Sequence, residues 1–337
     1  MNRTAMRRFP AAGRVLVLMA VVAAGLTATH VGSAQAPIDF DAVDVRSFHV
    51  QGSVHMLVGA GGNVTVQFGD DGVLVVDTQY AQMVPKLLDA IRRLAGDRPI
   101  RYVVNTHVHG DHTGGNEAFH EAGRAIVAGN FAREVSDSGA AVIAHENVLL
   151  RMSVTPEGQA PMPAGALPSE TFFGDEDQLF FNGEAIRLVH LPAAHTDGDI
   201  LAFFRKSDVI SAGDVYVTTG YPFIDRARGG TIGGVLDGLN RIIAITVPRD
   251  KQEGGTMVVP GHGRISDEAD VVEYRDMLTI IRDRVQEMID RKMTLEQVQA
   301  ARPTSDYDGR YGSTEGFWTT DQFVEAVFAT LQPGGQP

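Results

Sequence analysis

The stretch Thr106–His112, with the sequence Thr-His-Val-His-Gly-Asp-His, decides how this chain of 337 residues is interpreted. It places three imidazoles and one carboxylate almost side by side. Residues at positions i and i+2 of an extended segment point to the same side, so His107 and His109 can bind one ion. Asp111 and His112 follow as the chain turns, and they can reach a second ion. The stretch, called the metal run below, therefore predicts a dinuclear metal site rather than a polar loop with incidental histidines.

The amino-acid composition limits the ligands that such a site can use. The chain contains no cysteine, so thiolates are excluded and imidazoles and carboxylates must hold any ion. Nitrogen and oxygen ligands favour zinc, while manganese and iron also suit a site that contains carboxylates. We therefore predict two Zn²⁺ ions as cofactors, with Mn²⁺ or Fe²⁺ as alternatives.

The N-terminal residues have the composition of an export signal. Four arginines and no acidic residue precede or flank the apolar run 15–27, and small residues at 32–34 offer a cleavage site. We predict that residues 1–34 are a signal peptide, that residues 38–337 form the mature domain with a C-terminal helical segment, and that the protein is periplasmic or secreted. An uncleaved membrane anchor is the alternative. The sequence leaves the export route open between the Sec and twin-arginine pathways.

The charge of the chain bears on its partners. The formal net charge is −13, and loss of the four leader arginines would make it −17. A surface this acidic repels phosphate backbones, which argues against nucleic acid as a partner. After cleavage no stretch resembles a membrane span, so we expect no stable membrane insertion and a small-molecule substrate. No sequence pattern specifies an oligomeric state.

Periodicity predicts two β-rich halves joined by residues 153–170, which are rich in Pro, Gly and Ala. Strands are predicted at residues 64–68, 73–76, 102–104, 125–128, 178–181, 185–190, 200–204, 209–211 and 257–259. Helices are predicted at residues 81–95, 116–122, 131–150, 234–245 and 268–292. Two β-rich halves with helices outside them predict an α/β fold, a four-layer αββα sandwich.

Four further candidate residues lie at or next to the ends of predicted strands. Asp77 ends the strand 73–76, His195 lies in a loop between two strands, and Asp214 follows the strand 209–211. His262 lies between glycines that allow the backbone to approach an ion closely. Each residue is weak evidence alone, but their shared position indicates one site.

At this point the chain resembles the metallo-β-lactamase superfamily, on the metal run followed by His195, Asp214 and His262. The resemblance implies an αββα sandwich with the metals at one edge of the sheets. It implies that His107, His109 and His195 hold one ion, that Asp111, His112 and His262 hold the other, and that Asp214 and a hydroxide bridge the two. Asp111 would also act in catalysis by orienting the nucleophile, and Asp77 would orient ligands from behind.

Within this family, the residue at position 214 bears on the substrate. Some β-lactamases carry cysteine where this chain has Asp214, and a bridging aspartate resembles glyoxalase II-type thioesterases, lactonases and phosphodiesterases. We therefore expect an exported dinuclear zinc hydrolase that cleaves an ester, lactone, thioester or amide bond. The alternatives are a β-lactamase acting on antibiotics and a non-catalytic periplasmic metal-binding accessory protein.

Two segments leave alternatives open. The segment 216–228, which contains Tyr221, Pro222 and Phe223, either walls the substrate groove or is an ordinary aromatic loop. The segment 306–318 either forms part of a lid or only packs the C-terminal helices.

Overall fold

Two β-sheets lie face to face at the centre of the protein, with helices on both outer sides. The computed structural model describes residues 38–126, 139–155, 158, 160–251 and 254–332, together with Met1. Apart from Met1, the predicted signal peptide lies outside the described residues. Within the described ranges, no helix combines the length and apolar character needed to cross a membrane.

The first sheet is built from the N-terminal half of the chain. Its strands, in spatial order, are β1 (Arg46–Gln51), β2 (Val54–Val58), β3 (Val64–Gly69), β4 (Gly72–Val76), β5 (Ile100–Val104), β6 (Ala141–His145) and β7 (Glu170–Phe172). Strands β1 to β4 pair antiparallel, whereas β4 to β7 pair in parallel. Because β4 and β5 are parallel neighbours, Asp77 and the metal run emerge at the same edge of this sheet.

The second sheet comes from the C-terminal half. Its strands are β8 (Glu176–Phe181), β9 (Glu184–Leu191), β10 (Asp199–Phe204), β11 (Val209–Ser211), β12 (Met257–Val259) and β13 (Ser266–Asp267), and they lie side by side in this order. Only β11 and β12 pair in parallel. Asp214 and His262 therefore follow the carboxyl ends of two parallel neighbours, and His195 lies in the turn between β9 and β10.

The helices cover the outer faces of the sheets. The α-helices of the described residues are α1 (Val84–Ala95), α2 (Gly110–Thr113), α3 (Asn116–Ala122), α4 (Glu146–Met152), α5 (Ile232–Ile245), α6 (Glu268–Asp290), α7 (Leu295–Ala301), α8 (Asp308–Tyr311) and α9 (Thr320–Leu331). Short 3-10 helices span Phe40–Ala42, Ala81–Met83, Ala164–Ala166, Gly213–Val215 and Arg226–Arg228. Helix α6 begins with a capping box formed by Asp267 and Asp270.

Apolar clusters hold the layers together. Leu74 and Val104 of the first sheet pack between the sheets with Leu188 and Phe204 of the second. A separate cluster joins α1 and α3 to the outer face of the first sheet, and a third joins α5, α6 and α9 to the second. The layers are therefore helix, sheet, sheet and helix, which confirms the predicted αββα sandwich.

The helix predicted over residues 131–150 is partly wrong, as far as the structure describes those residues. Residues 141–145 belong to the single helix predicted over residues 131–150, but they form strand β6, and only Glu146–Met152 are helical. A short apolar run fits a buried strand and a helix equally well, and pairing with both β5 and β7 decides for the strand. Of the strand predicted at residues 125–128, the two described residues are not in a strand, and residues 127–138 lie outside the described ranges.

Candidate metal centre

Loops at one edge of the two sheets bring all seven predicted ligands into one cluster. Their donor atoms form three overlapping groups, and within each group these atoms lie within 4.8 Å of one another. The groups are His107 with His109 and His195, His107 with His112 and Asp214, and Asp111 with His112 and His262. The first and third of these match the two ligand sets that the resemblance implies. They are called the first ligand group (His107, His109 and His195) and the second ligand group (Asp111, His112 and His262) below.

The metal run changes conformation in its middle, which directs its side chains to two places. His109 has extended backbone, with φ −68° and ψ 146°, and it is the residue before helix α2. Asp111 lies in the first turn of α2. His109 Nδ1 lies 2.8 Å from His195 Nε2, whereas Asp111 Oδ2 lies 3.3 Å from His262 Nε2. One short stretch thus contributes to both groups, as its sequence predicts.

Asp214 lies between the two groups, in the 3-10 turn after β11. Its Oδ1 is 3.2 Å from His112 Nε2 and 3.5 Å from His262 Nε2. Its Oδ2 is 3.8 Å from His195 Nε2. Each carboxylate oxygen therefore faces a different group, which is the arrangement that a bridging ligand needs.

Asp77 lies behind the cluster, in the position that the resemblance implies. Its Oδ1 accepts a hydrogen bond from Thr106 N at 2.8 Å, and its Oδ2 accepts from Thr106 Oγ1 and His112 Nδ1, both at 2.7 Å. The Thr106 hydroxyl in turn accepts from His107 Nδ1 at 3.0 Å. These bonds orient two imidazoles so that each Nε2 keeps a lone pair for an ion.

Asp225 and Phe223 have the same role for two other histidines, and the sequence analysis does not identify either as a group that orients a ligand. Asp225 Oδ2 accepts from His109 Nε2 at 2.8 Å, and the Phe223 carbonyl accepts from His195 Nδ1 at 2.5 Å. Both acceptors belong to the segment 216–228, which the sequence leaves open as a groove wall or an ordinary loop. Asp225 is the residue before a 3-10 turn. Aspartate is too common at such positions for this one to be identified from the sequence as a carboxylate that orients a ligand.

Unpartnered buried atoms test whether the cluster fits a metal. His107 Nε2 and Asp214 Oδ1 are buried and make no hydrogen bond with any described residue, although His112 Nε2 lies 3.2 Å from Asp214 Oδ1. A buried polar atom without a partner costs free energy, and native proteins rarely leave one unless an ion or water satisfies it. Both atoms point into the cluster, so the donor set fits metal ions held by imidazole and carboxylate.

Two glycines allow the ligands to sit where they do. A Cβ atom added at Gly261 would lie 1.9 Å from Asp214 Oδ1, and one added at Gly62 would lie 2.2 Å from His112 Cε1. Any larger residue at either position would displace a candidate ligand. Gly261 therefore allows close approach to the Asp214 carboxylate. That the glycines around His262 bring the backbone close to an ion stays a prediction.

The pKa values of the histidines differ between the first and the second ligand group. Burial and the neighbouring imidazoles hold the pKa of His107 well below its usual value, and burial lowers the pKa of His195 to about 4. Burial also lowers the pKa of His112 and His262, but nearby carboxylates together outweigh it: Asp214 and Asp77 raise the pKa of His112 well above its usual value, and Asp214 and Asp111 raise that of His262 to about 9. A metal ion must compete with these protons, so metal binding is expected to release protons.

A groove of about 830 Å³ opens over the cluster. Asp111, Asp214 and His262 line its floor, and Phe317 and Trp318 of the C-terminal segment line one side. A substrate in this groove would therefore lie against the candidate ligands.

Replacing Asp225 by alanine is expected to lower zinc affinity about 10- to 100-fold, because His109 would lose the carboxylate that orients it. Isothermal titration of the metal-free variant with zinc would measure this change. Asp237→Ala removes an exposed aspartate of α5 and is the matched control, for which we expect unchanged affinity. Equal affinities of the two variants would show that Asp225 does not support the site.

Comparisons with known proteins identify the family to which the chain belongs. The family model of the metallo-beta-lactamase superfamily matches residues 57–267. The structure resembles the sec-alkylsulfatase Pisa1 from Pseudomonas sp. with a TM-score of 0.61 and 15% identity, over 84% of this chain and 50% of that one. The chain thus spans about half the length of the sulfatase.

Two shorter proteins match over nearly their whole length. The DIM-1 metallo-beta-lactamase has a TM-score of 0.50 and 17% identity, over 70% of this chain and 98% of its own. A metallo-beta-lactamase from Pontibacter korlensis has a TM-score of 0.51 and 16% identity, over 70% and 99%. Likeness at these identities shows the fold alone, whereas the family model covers more than half of the chain. The chain therefore belongs to the metallo-beta-lactamase superfamily.

Proposed function

We propose that the protein is an exported dinuclear zinc hydrolase that cleaves an ester, lactone, thioester or amide bond of a small molecule. Members of its superfamily are mostly metal-dependent hydrolases. The observation that carries the proposal is the position of Asp214, whose two oxygens face different groups of histidines. A site for one ion would use only one of these groups. Export is proposed from the composition of residues 1–34.

The residues of the candidate metal centre would have the following roles. His107, His109 and His195 would hold one ion, Asp111, His112 and His262 the other, and Asp214 both. Zinc ions there would polarise the substrate carbonyl and lower the pKa of water enough to supply a nucleophile at neutral pH. Asp111 lines the groove and would accept a hydrogen bond from the attacking water, which keeps that water aligned with the carbonyl.

Zinc-replete protein is expected to bind about two equivalents of zinc per chain, because both groups have a full set of donors. Metal analysis by mass spectrometry, on protein dialysed against zinc and then against buffer, would measure this ratio. Chelation should remove both the metal and the activity, and added zinc should restore them. A ratio of about one equivalent or less would refute the two-ion proposal.

A substrate screen would separate the remaining candidates. The zinc-loaded protein would be tested with nitrocefin, a lactone, a thioester, a phosphodiester and, given the structural likeness to a sec-alkylsulfatase, a secondary alkyl sulfate. We expect turnover of the lactone or thioester to exceed that of nitrocefin. Faster turnover of nitrocefin would favour a β-lactamase, and no turnover with two bound ions would favour an accessory metal-binding protein.

A further inference from the structure

Three aromatic rings form one side of the groove, and we call them the aromatic wall: Phe223, Phe317 and Trp318. The ring centroid of Phe223 lies 4.9 Å from that of Phe317 and 4.8 Å from that of Trp318, with edge-to-face geometry in both pairs. Trp318 Nε1 donates to the Pro222 carbonyl at 3.1 Å, which fixes the indole against the loop that carries Phe223. The wall is therefore a packed unit of two distant segments.

The aromatic wall stands directly beside the first ligand group. The Phe223 ring lies 5.6 Å from the ring of His109 and 5.6 Å from the ring of His195, and its carbonyl accepts from His195. A scissile bond held at the candidate metal centre would therefore have one of its substituents next to Phe223, the ring that the other two contact.

The three rings are not equally buried, whereas rings that only pack the interior would all be covered. Trp318 is partly buried and packs against the apolar cluster of the second sheet. Phe317, its neighbour in the chain, is 64% exposed although it contacts Phe223. Much of its surface stays open, and Phe317 is one of the residues that line the groove. The segment 306–318 thus both anchors on the C-terminal helices and presents an apolar surface.

The charges of the groove indicate what kind of group this surface would accept. Among the described residues that line it, the charged ones outside the candidate ligands are Asp225 and Arg228, and they pair with each other at 2.6 Å. The other residues that line the groove include Thr219, Ser313 and several aromatic residues. A polyanionic leaving group would find no cationic cluster there, whereas an uncharged apolar group would bury surface against the rings.

We propose that the aromatic wall selects substrates that carry an aryl or extended alkyl group next to the scissile bond. This inference rests on the proposed function, because the group that contacts the aromatic wall is part of the hydrolase's substrate. Two of the three rings come from residues beyond the family match, which ends at residue 267. This preference accordingly depends on the chain's C-terminal segment in addition to Phe223, which lies within the matched family region.

The single tryptophan of the chain supplies a binding signal that does not depend on hydrolysis. Emission from Trp318 would be followed while zinc-loaded protein is titrated with 4-phenylbutyrate or with butyrate, which share a carboxylate and differ in the aryl group. We expect 4-phenylbutyrate to bind about tenfold more tightly, because it adds an aromatic contact. Phe317→Ala should remove most of this preference, and Phe317→Tyr should retain it.

Phe180→Ala is the matched control, since Phe180 is 74% exposed on β8 and does not line the groove. It should keep the full preference. Equal binding of the two acids, or an equal effect of Phe317→Ala and Phe180→Ala, would overturn the inference even if hydrolysis is found. A preserved preference in a protein that hydrolyses nothing would instead refute the proposed function and leave the aromatic wall as a binding surface.

Discussion

Replacing Asp214 by alanine is expected to reduce kcat by about a thousandfold or more. Its Oδ1 lies near His112 and His262 and its Oδ2 lies near His195, so this one carboxylate is close to both ligand groups. In the proposed mechanism, zinc acting on the carbonyl and on the nucleophile would supply several kcal/mol of transition-state stabilisation. Since each 1.36 kcal/mol corresponds to about a factor of ten in rate, losing the bridge has an effect of this size.

Three measurements on Asp214→Ala would identify the cause of the loss. Turnover of the best substrate from the screen gives the rate, metal analysis gives the zinc content, and circular dichroism reports whether the fold is intact. We expect a native-like spectrum with less than two equivalents of zinc. Asp237→Ala should match the unmodified protein in all three. Turnover within about tenfold of the unmodified protein would rule out Asp214 as a bridging ligand.

The layers of the fold could be predicted because they follow from local periodicity. Strands β4, β11 and β12 are short apolar runs, and the structure places them within a residue of their predicted bounds. Strand β6 could not be predicted, because its five residues have no period that separates strand from helix. Its conformation depends on neighbours β5 and β7, which lie far away in the sequence.

The same distinction holds at the site. His107, His109, Asp111 and His112 share one short stretch, so their chemistry is visible in the sequence without the fold. The contact between Asp225 and His109 joins residues 116 positions apart, and Asp225 has no local pattern that marks it. The Phe223 carbonyl is backbone, which no residue type can reveal. Ligands in motifs are thus predictable, and the groups that orient them depend on the tertiary fold.

Replacing Asp77 by alanine is expected to lower the free energy of unfolding by about 3–5 kcal/mol, the usual cost of removing one partner of a buried charged pair. Asp77 is 2% exposed and accepts three hydrogen bonds, two from Thr106 and one from His112. Alanine would leave these donors buried and unsatisfied. Asp77 also has φ +65°, a left-handed conformation that aspartate tolerates better than alanine.

Urea denaturation of the metal-free protein would measure this loss, because without zinc a weaker metal affinity cannot contribute. Asp89→Ala is the matched control: the Asp89 side chain is 62% exposed and, within the described part of the chain, pairs only with Arg92, so we expect a change below about 1 kcal/mol. Asp77→Asn should fall between the two, because its amide keeps one acceptor oxygen but places a donor against a donor. If Asp77→Ala were as stable as Asp89→Ala, the network behind His112 would not hold the metal run in place.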